Sequence, residues 1–113
     1  MSAKLEKFEK LAAKGKADKI AKFVNNKDPE VAKDAIAALG KCGGEDAINA
    51  LTGLCQSQDK ATKIAAIKAL ADCGSTYSVT LISNDFIKEK DPELKQAMSE
   101  TLETIRKRLK EAE

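Results

Sequence analysis

A nine-residue phrase is written twice in this chain at one spacing: Ala35-Ile36-Ala37-Ala38-Leu39-Gly40-Lys41-Cys42-Gly43 and, 31 residues on, Ala66-Ile67-Lys68-Ala69-Leu70-Ala71-Asp72-Cys73-Gly74. Each begins seven residues after an aspartate, Asp28 and Asp59, and a third, fainter copy opens at Asp91. Self-similarity with a period of about 20 to 50 residues is the mark of stacked repeats. A single such unit cannot bury its apolar face, so neighbours must stack and share one continuous core. The repeat therefore constrains the inside of the protein far more than it constrains its task.

The ends of the repeating segments carry helix signals. Asp28-Pro29-Glu30 and Asp91-Pro92-Glu93 each place a capping carboxylate, then a proline whose missing N–H is harmless at the first helical position, then an acid at the positive end of the helix dipole. Asp59-Lys60-Ala61 repeats the cap without the proline. Gly15, Gly43-Gly44 and Gly74-Ser75 follow apolar-periodic stretches, where chain-reversing caps belong. Seven helices are predicted. The first, near 3–13, has Leu5, Phe8, Leu11 and Ala12 on one face, and the second, about 17–25, has Ile20, Phe23 and Val24. A third over 29–42 carries Val31, Ala35, Ile36, Leu39 and Cys42; a fourth over 45–57 carries Ala47, Ile48, Leu51, Leu54 and Cys55. The fifth, 60–73, uses Ile64, Ala66, Ile67, Leu70 and Cys73, and the sixth, 77–89, uses Val79, Leu81, Ile82, Phe86 and Ile87. A last helix from 92 to 112 aligns Leu94, Met98, Leu102, Ile105 and Leu109 along one seam. Steps of three and four fit helices and exclude alternating strands. The sixth helix rests on its register with the fourth, because Thr76-Tyr77-Ser78-Val79-Thr80 and Ser83-Asn84-Asp85 are poor helix interiors.

These segments predict one all-α domain over 1–113, a right-handed α-α superhelix of about three and a half helix pairs. Its parts are a divergent first pair at 3–26, repeats at 28–58 and 59–90, and a C-terminal capping helix at 91–112.

Chemistry is sparse. The chain has 113 residues and no histidine, which removes the commonest general base and metal ligand together with any Cys-His or Ser-His pair. Cys42, Cys55 and Cys73 form no Cys-x-x-Cys pair; Cys42 and Cys73 hold equivalent places in successive repeats, as packed core thiols do. Gly40, Gly43 and Gly44 lie between helices and lack the spacing of a phosphate-binding loop, and Glu45-Asp46 suits a helix start. No catalytic residue, metal ligand or cofactor site is expected. The net charge is only +2, although residues 1–27 hold eight lysines against Glu6, Glu9 and Asp18. With no tryptophan, and with Phe8 and Phe23 committed to apolar stripes, nothing is left to stack on a base, so a solvated lysine face is expected in place of a nucleic-acid site. Arg106-Lys107-Arg108 and Lys110 read as an exposed cap surface. No run approaches the length of a membrane span. The odd cysteine count and the lack of an apolar leader point to the cytoplasm.

Helix pairs opened by Asp28-Pro29-Glu30-Val31 and continued by Ala35 to Gly40 resemble the short HEAT-like repeats found in phycobilisome lyases and in many scaffold proteins. Asp59 with Ala65 to Leu70, and Asp91-Pro92-Glu93-Leu94, match in part. The basic residue that usually follows the valine is Ala32 in the first clear repeat but Lys63 and Lys95 in the others, which leaves an inter-repeat basic ladder incomplete. The resemblance implies that the second helix of each pair lines the inner, concave surface, which faces a partner. Asn49, Thr52, Gln56, Tyr77, Thr80, Ser83 and Asn84 then become candidate contact residues, with Tyr77 foremost because tyrosine is enriched at binding hot spots. The expected function is a non-catalytic protein-interaction or scaffolding module. The alternatives are an accessory subunit of a lyase-type enzyme, a nucleic-acid binder through the basic first pair, and a chain that associates with itself.

Overall fold

The computed structural model describes residues 4–112 and contains seven helices there: α1 Leu5–Ala13, α2 Ala17–Ala21, α3 Pro29–Cys42, α4 Gly44–Leu54, α5 Lys60–Cys73, α6 Thr76–Lys88 and α7 Pro92–Glu111. Residues 1–3 and 113, which include the expected start of the first helix at residue 3, lie outside the described part. The helices stack in two layers. α1, α3, α5 and α7 pack side by side in one, while α2, α4 and α6 lean on α3, α5 and α7 respectively. The smallest dimension of the molecule, 20 Å, is two helix diameters of about 10 Å.

The aspartate caps set the frame. Asp28 accepts from the Glu30 N–H at 3.0 Å, Asp59 from the Thr62 N–H at 3.1 Å, and Asp91 from the N–H groups of Glu93 and Leu94 at 2.9 and 3.3 Å. Two residues before each cap another side chain fixes the approach: Asn26 Oδ1, Ser57 Oγ and Glu89 Oε2 accept from the cap residue's own N–H. Counted from these caps, Ala35, Ala66 and Met98 are equivalent, as are Leu39, Leu70 and Leu102, and all six are buried.

Several expectations require correction. α2 ends at Ala21 because the chain tightens into three-residue turns, with Phe23, Val24 and Asn26 donating to Ile20, Ala21 and Phe23. Those turns still deliver Val24 to the core. α4 likewise ends at Leu54 and passes into turns at Gln56 and Ser57. The sixth helix forms despite its composition, helped by the Ser75 N–H, which donates to the wholly buried Ser78 hydroxyl at 3.1 Å. Ile87 does not join the apolar stripe of that helix and is 79% exposed. Cys42 and Cys73 are only half-buried, and the buried thiol is Cys55. Arg108 is no surface ornament: its guanidinium donates to the Gly74 carbonyl at 2.7 Å and to the Ala71 carbonyl at 3.3 and 3.4 Å. It thereby satisfies the carbonyl groups left unpaired where α5 ends.

One contact sets how closely the first-layer helices approach. α3 and α5 meet at Gly40, where a Cβ would stand 2.6 Å from the Ala69 carbonyl oxygen. Glycine is required there because backbone fills the space that a side chain would need. Gly40→Ala is expected to lower stability by about 1–2 kcal/mol through overpacking, in spite of alanine's better helix propensity. Gly53 faces open space, so Gly53→Ala is expected to raise stability by about 0.5 kcal/mol. Urea unfolding of the two variants checks the opposed signs.

Candidate functional site

Two surfaces emerge from the packing. The first is the outer face of the second layer. On α6, Tyr77, Thr80, Asn84 and Ile87 are spaced three, four and three apart, which places them on one stripe, and all four are exposed. Tyr77 and Ile87 are the two large hydrophobic side chains exposed among the described residues. On α4 the candidate Asn49 is exposed, and Gln56 is exposed just beyond that helix. Thr52 is different: it is half-buried, and its hydroxyl donates to the Ile48 carbonyl at 2.7 Å. Thr80 also bonds its own helix, donating to Thr76 at 3.3 Å, but stays exposed. Ser83 is half-buried and accepts from Arg106 Nη2 at 3.3 Å.

The second surface lies in the first layer and follows from a difference between two equivalent seams. Between α5 and α7 the N-terminal halves are clamped by charge. Lys60 Nζ lies 2.9 Å from both Asp91 Oδ2 and Glu93 Oε1, and Lys63 Nζ lies 3.7 Å from Glu89 Oε1. Hydrogen bonds that Lys60 donates to Asp91, then to Glu93, raise its pKa. Lys60 in turn holds Asp91 below the usual carboxylate range. Glu89 is held low first by the Asp91 N–H it accepts. Between α3 and α5 the positions equivalent to Lys60, Lys63, Glu89 and Glu93 are Pro29, Ala32, Ser57 and Ala61. None of these can make an ion pair. The two helices touch at Gly40 and Ala69 but leave a groove of ≈570 Å³ between their N-terminal halves. Sequence reasoning noted Ala32 as a missing rung of the basic ladder. It did not see that the seam lacking all four charges carries a groove.

The remaining chemistry is quiet. Burial pushes the Cys55 thiol up to about 12, with Asp85 adding to the effect and Lys63 opposing it. Burial also raises Cys73 to about 11, against the pull of Arg108. Neither thiol is poised as a nucleophile at neutral pH. Among the described residues no group of three or more His, Cys, Asp or Glu side chains is arranged to hold a metal ion, and no helix is long and apolar enough to cross a membrane. In the basic first pair, Lys4 and Lys7 sit 5.3 and 5.0 Å from the centroid of the Phe23 ring, which packs edge-on against Phe8. That ring is already occupied by the chain's own cations.

The repeated helix pairs, their aspartate caps and the two-layer stack agree with the family comparison: the model for HEAT repeats matches residues 8–71. The chain belongs to the HEAT repeat family. No curated protein and no solved structure matches it. The HEAT match covers most of α1, all of α2 to α4 and most of α5, and so includes the helices on both sides of the groove.

The α5–α7 clamp makes stability depend on pH at both extremes. Asp91 and Glu89 titrate lower in the folded than in the unfolded chain, so their stabilisation is present at neutral pH and is lost as pH falls through and below the ordinary carboxylate range. Lys60 titrates higher when folded, so its stabilisation is intact at neutral pH and is lost as pH rises through and above the ordinary lysine range. Thermal melts followed by circular dichroism from acid to alkaline pH are expected to show both declines. The alkaline decline is expected to shrink in Lys60→Ala, and identical alkaline profiles in the two proteins would contradict the clamp.

Proposed function

We propose that this protein is a non-catalytic interaction module that engages another protein through the outer face of its second-layer helices. The observation that carries this reading is the α6 stripe, where the two large exposed hydrophobic side chains, Tyr77 and Ile87, flank Thr80 and Asn84. Binding energy at protein interfaces concentrates in a few aromatic and large apolar anchors surrounded by polar contacts that exclude water. Asn49 and Gln56 extend the surface with uncharged hydrogen-bonding groups. Membership of the HEAT repeat family, in which protein interaction is the common role, supports the same reading.

Thr52 is a natural control, because its hydroxyl is spent on its own helix. Affinity capture from the source cell extract, with wild type and variants as bait, tests the proposal. A specific prey retained by wild type and by Thr52→Ala is expected to bind Tyr77→Ala about thirtyfold more weakly, the loss of roughly 2 kcal/mol typical of a hot-spot tyrosine. It is expected to be lost from the Tyr77→Ala, Ile87→Ser double variant. Full retention of that prey by the double variant contradicts the proposed face.

A further inference from the structure

α1 stands at the end of the first layer. α3 and α5 each have a first-layer neighbour on both sides, whereas α1 packs on α3 alone in that layer and on α2 from the other. One flank of α1 is basic. Lys4, Lys7, Leu11 and Lys14 follow one another at steps of three, four and three, and so form a single stripe along the helix. Glu9 lies about 180° round the helix from the centre of that stripe, and Glu6, at its edge, is already paired with Lys10 at 3.4 Å. Among the described residues Lys4, Lys7 and Lys14 form no ion pair. Beyond the helix, Lys16, Lys19 and Lys22 are exposed as well. Over residues 4–27 eight lysines stand against Glu6, Glu9 and Asp18, so charge at this end of the stack selects an anion.

The stripe has relief as well as charge. Leu11 is half-buried between the exposed Lys7 and Lys14, in a surface recess of ≈420 Å³ lined by Glu6, Lys7, Lys10, Leu11 and Lys14, all from α1. No other helix lines that recess. Two of the lysines are also held in place, because the ammonium groups of Lys4 and Lys7 lie 5.3 and 5.0 Å from the centroid of the Phe23 ring. Attraction to the ring restrains both side chains, which reduces the entropy lost when a partner pairs with them.

The occupant must bring negative charge to the lysines and an apolar side chain that reaches down to Leu11. Residues spaced by three and four form the ridge on which a second helix packs, and α1 already meets α3 helix against helix. A nucleic acid suits the flank less well: its phosphates leave Leu11 uncovered, and the face of Phe23 is taken by Lys4 and Lys7 and offers a base nothing to stack on. A lipid surface asks for apolar anchors that project, and among the described residues the two large exposed hydrophobics, Tyr77 and Ile87, lie on α6.

We infer that the basic flank of α1 docks an acidic helix of a partner protein, which lays an aliphatic side chain over Leu11 and sets carboxylates against Lys7 and Lys14. The flank contains no residue of the α6 stripe, so the docking is independent of Tyr77 and Ile87, and substitutions there leave it unchanged.

The test uses the full chain and a fluorescein-labelled peptide, Glu-Glu-Ala-Ala-Leu-Ala-Ala-Glu-Glu, with a hydrocarbon staple joining its third and seventh positions on the face opposite leucine. Its glutamates lie three and four residues to either side of the leucine, so it presents the same pattern in both directions. The controls are the peptide with glutamine for glutamate, the peptide with serine for leucine, a double-stranded DNA oligonucleotide, and vesicles of equal parts phosphatidylserine and phosphatidylcholine. In ¹H–¹⁵N spectra the acidic peptide is expected to shift the amides of Lys7, Lys10, Leu11 and Lys14. Its affinity, read by anisotropy, is expected to fall about fivefold for each of Lys7→Ala and Lys14→Ala, the upper value for an exposed ion pair. Lys14 is not one of the lysines packed on Phe23, so its variant reads pairing without disturbing that ring. The Lys107→Ala, Lys110→Ala double variant, at the other end of the chain, is expected to bind as wild type does. Both altered peptides are expected to bind more weakly than the acidic one. A charge swap separates loss of pairing from loss of fold: the Lys7→Glu, Lys14→Glu double variant is expected to lose the acidic peptide and to bind its counterpart with lysine for glutamate. The inference is overturned if the acidic peptide does not bind, if its shifts map elsewhere, if Lys14→Ala or either altered peptide leaves the affinity unchanged, or if the oligonucleotide or the vesicles occupy this flank more tightly than the peptide.

Discussion

The contact of the Gly40 backbone with the Ala69 carbonyl is the point about which the first layer is arranged. With no side chain at Gly40, α3 and α5 approach until backbone meets backbone at their C-terminal halves. Leu39 and Leu70 are then fully buried in the shared core. Two helices that touch at one end and are not drawn together at the other must diverge. Whether that divergence becomes a groove or a closed seam depends on the side chains at the N-terminal ends.

The next seam shows the alternative. α5 and α7 also pack closely, with Ile105 against Gly74 and Arg108 bonded to the carbonyl groups at the end of α5. Their N-terminal halves are pulled together by Lys60 and Lys63 against Glu89, Asp91 and Glu93. Individual exposed ion pairs contribute little to stability. They can still decide geometry where the choice is between a filled and an unfilled gap between helices. Thus equivalent positions of one repeat architecture carry ion pairs on one side of α5 and line a groove on the other.

How much of this could be read in the sequence varied with the kind of interaction. Local signals were legible: the caps at Asp28, Asp59 and Asp91 placed the starts of α3, α5 and α7, and the repeated phrase located the buried Ala35, Leu39, Ala66 and Leu70. α2 was overextended because a stripe of Ile20, Phe23 and Val24 is served as well by successive tight turns as by a helix. Arg108 looked like part of a charged surface, since its acceptors are backbone carbonyls 34 and 37 residues away that carry no sequence signature. Ile87 followed the helical period yet faced outward, because α6 leans on α7 and leaves that side uncovered. The candidate contact residues of the second layer were found as positions but not as a surface. Tyr77, Thr80 and Asn84 share a stripe, whereas Thr52 turns back to its own helix. The groove belongs to the seam between repeats, where the signal is a comparison of caps, Pro29, Ala32, Ser57 and Ala61 against four charged counterparts.

The α3–α5 seam is fastened at Gly40 and carries its groove toward Pro29, and native-state hydrogen exchange distinguishes the two ends. The amides of residues 38 to 42 are expected to exchange only through global unfolding, while those of residues 33 to 36 on the same helix exchange through cheaper local opening. On α5, whose N-terminal half is clamped to α7, the difference between the two halves is expected to be smaller. Uniform protection along α3, or slower exchange in residues 33 to 36 than in residues 38 to 42, would contradict the account.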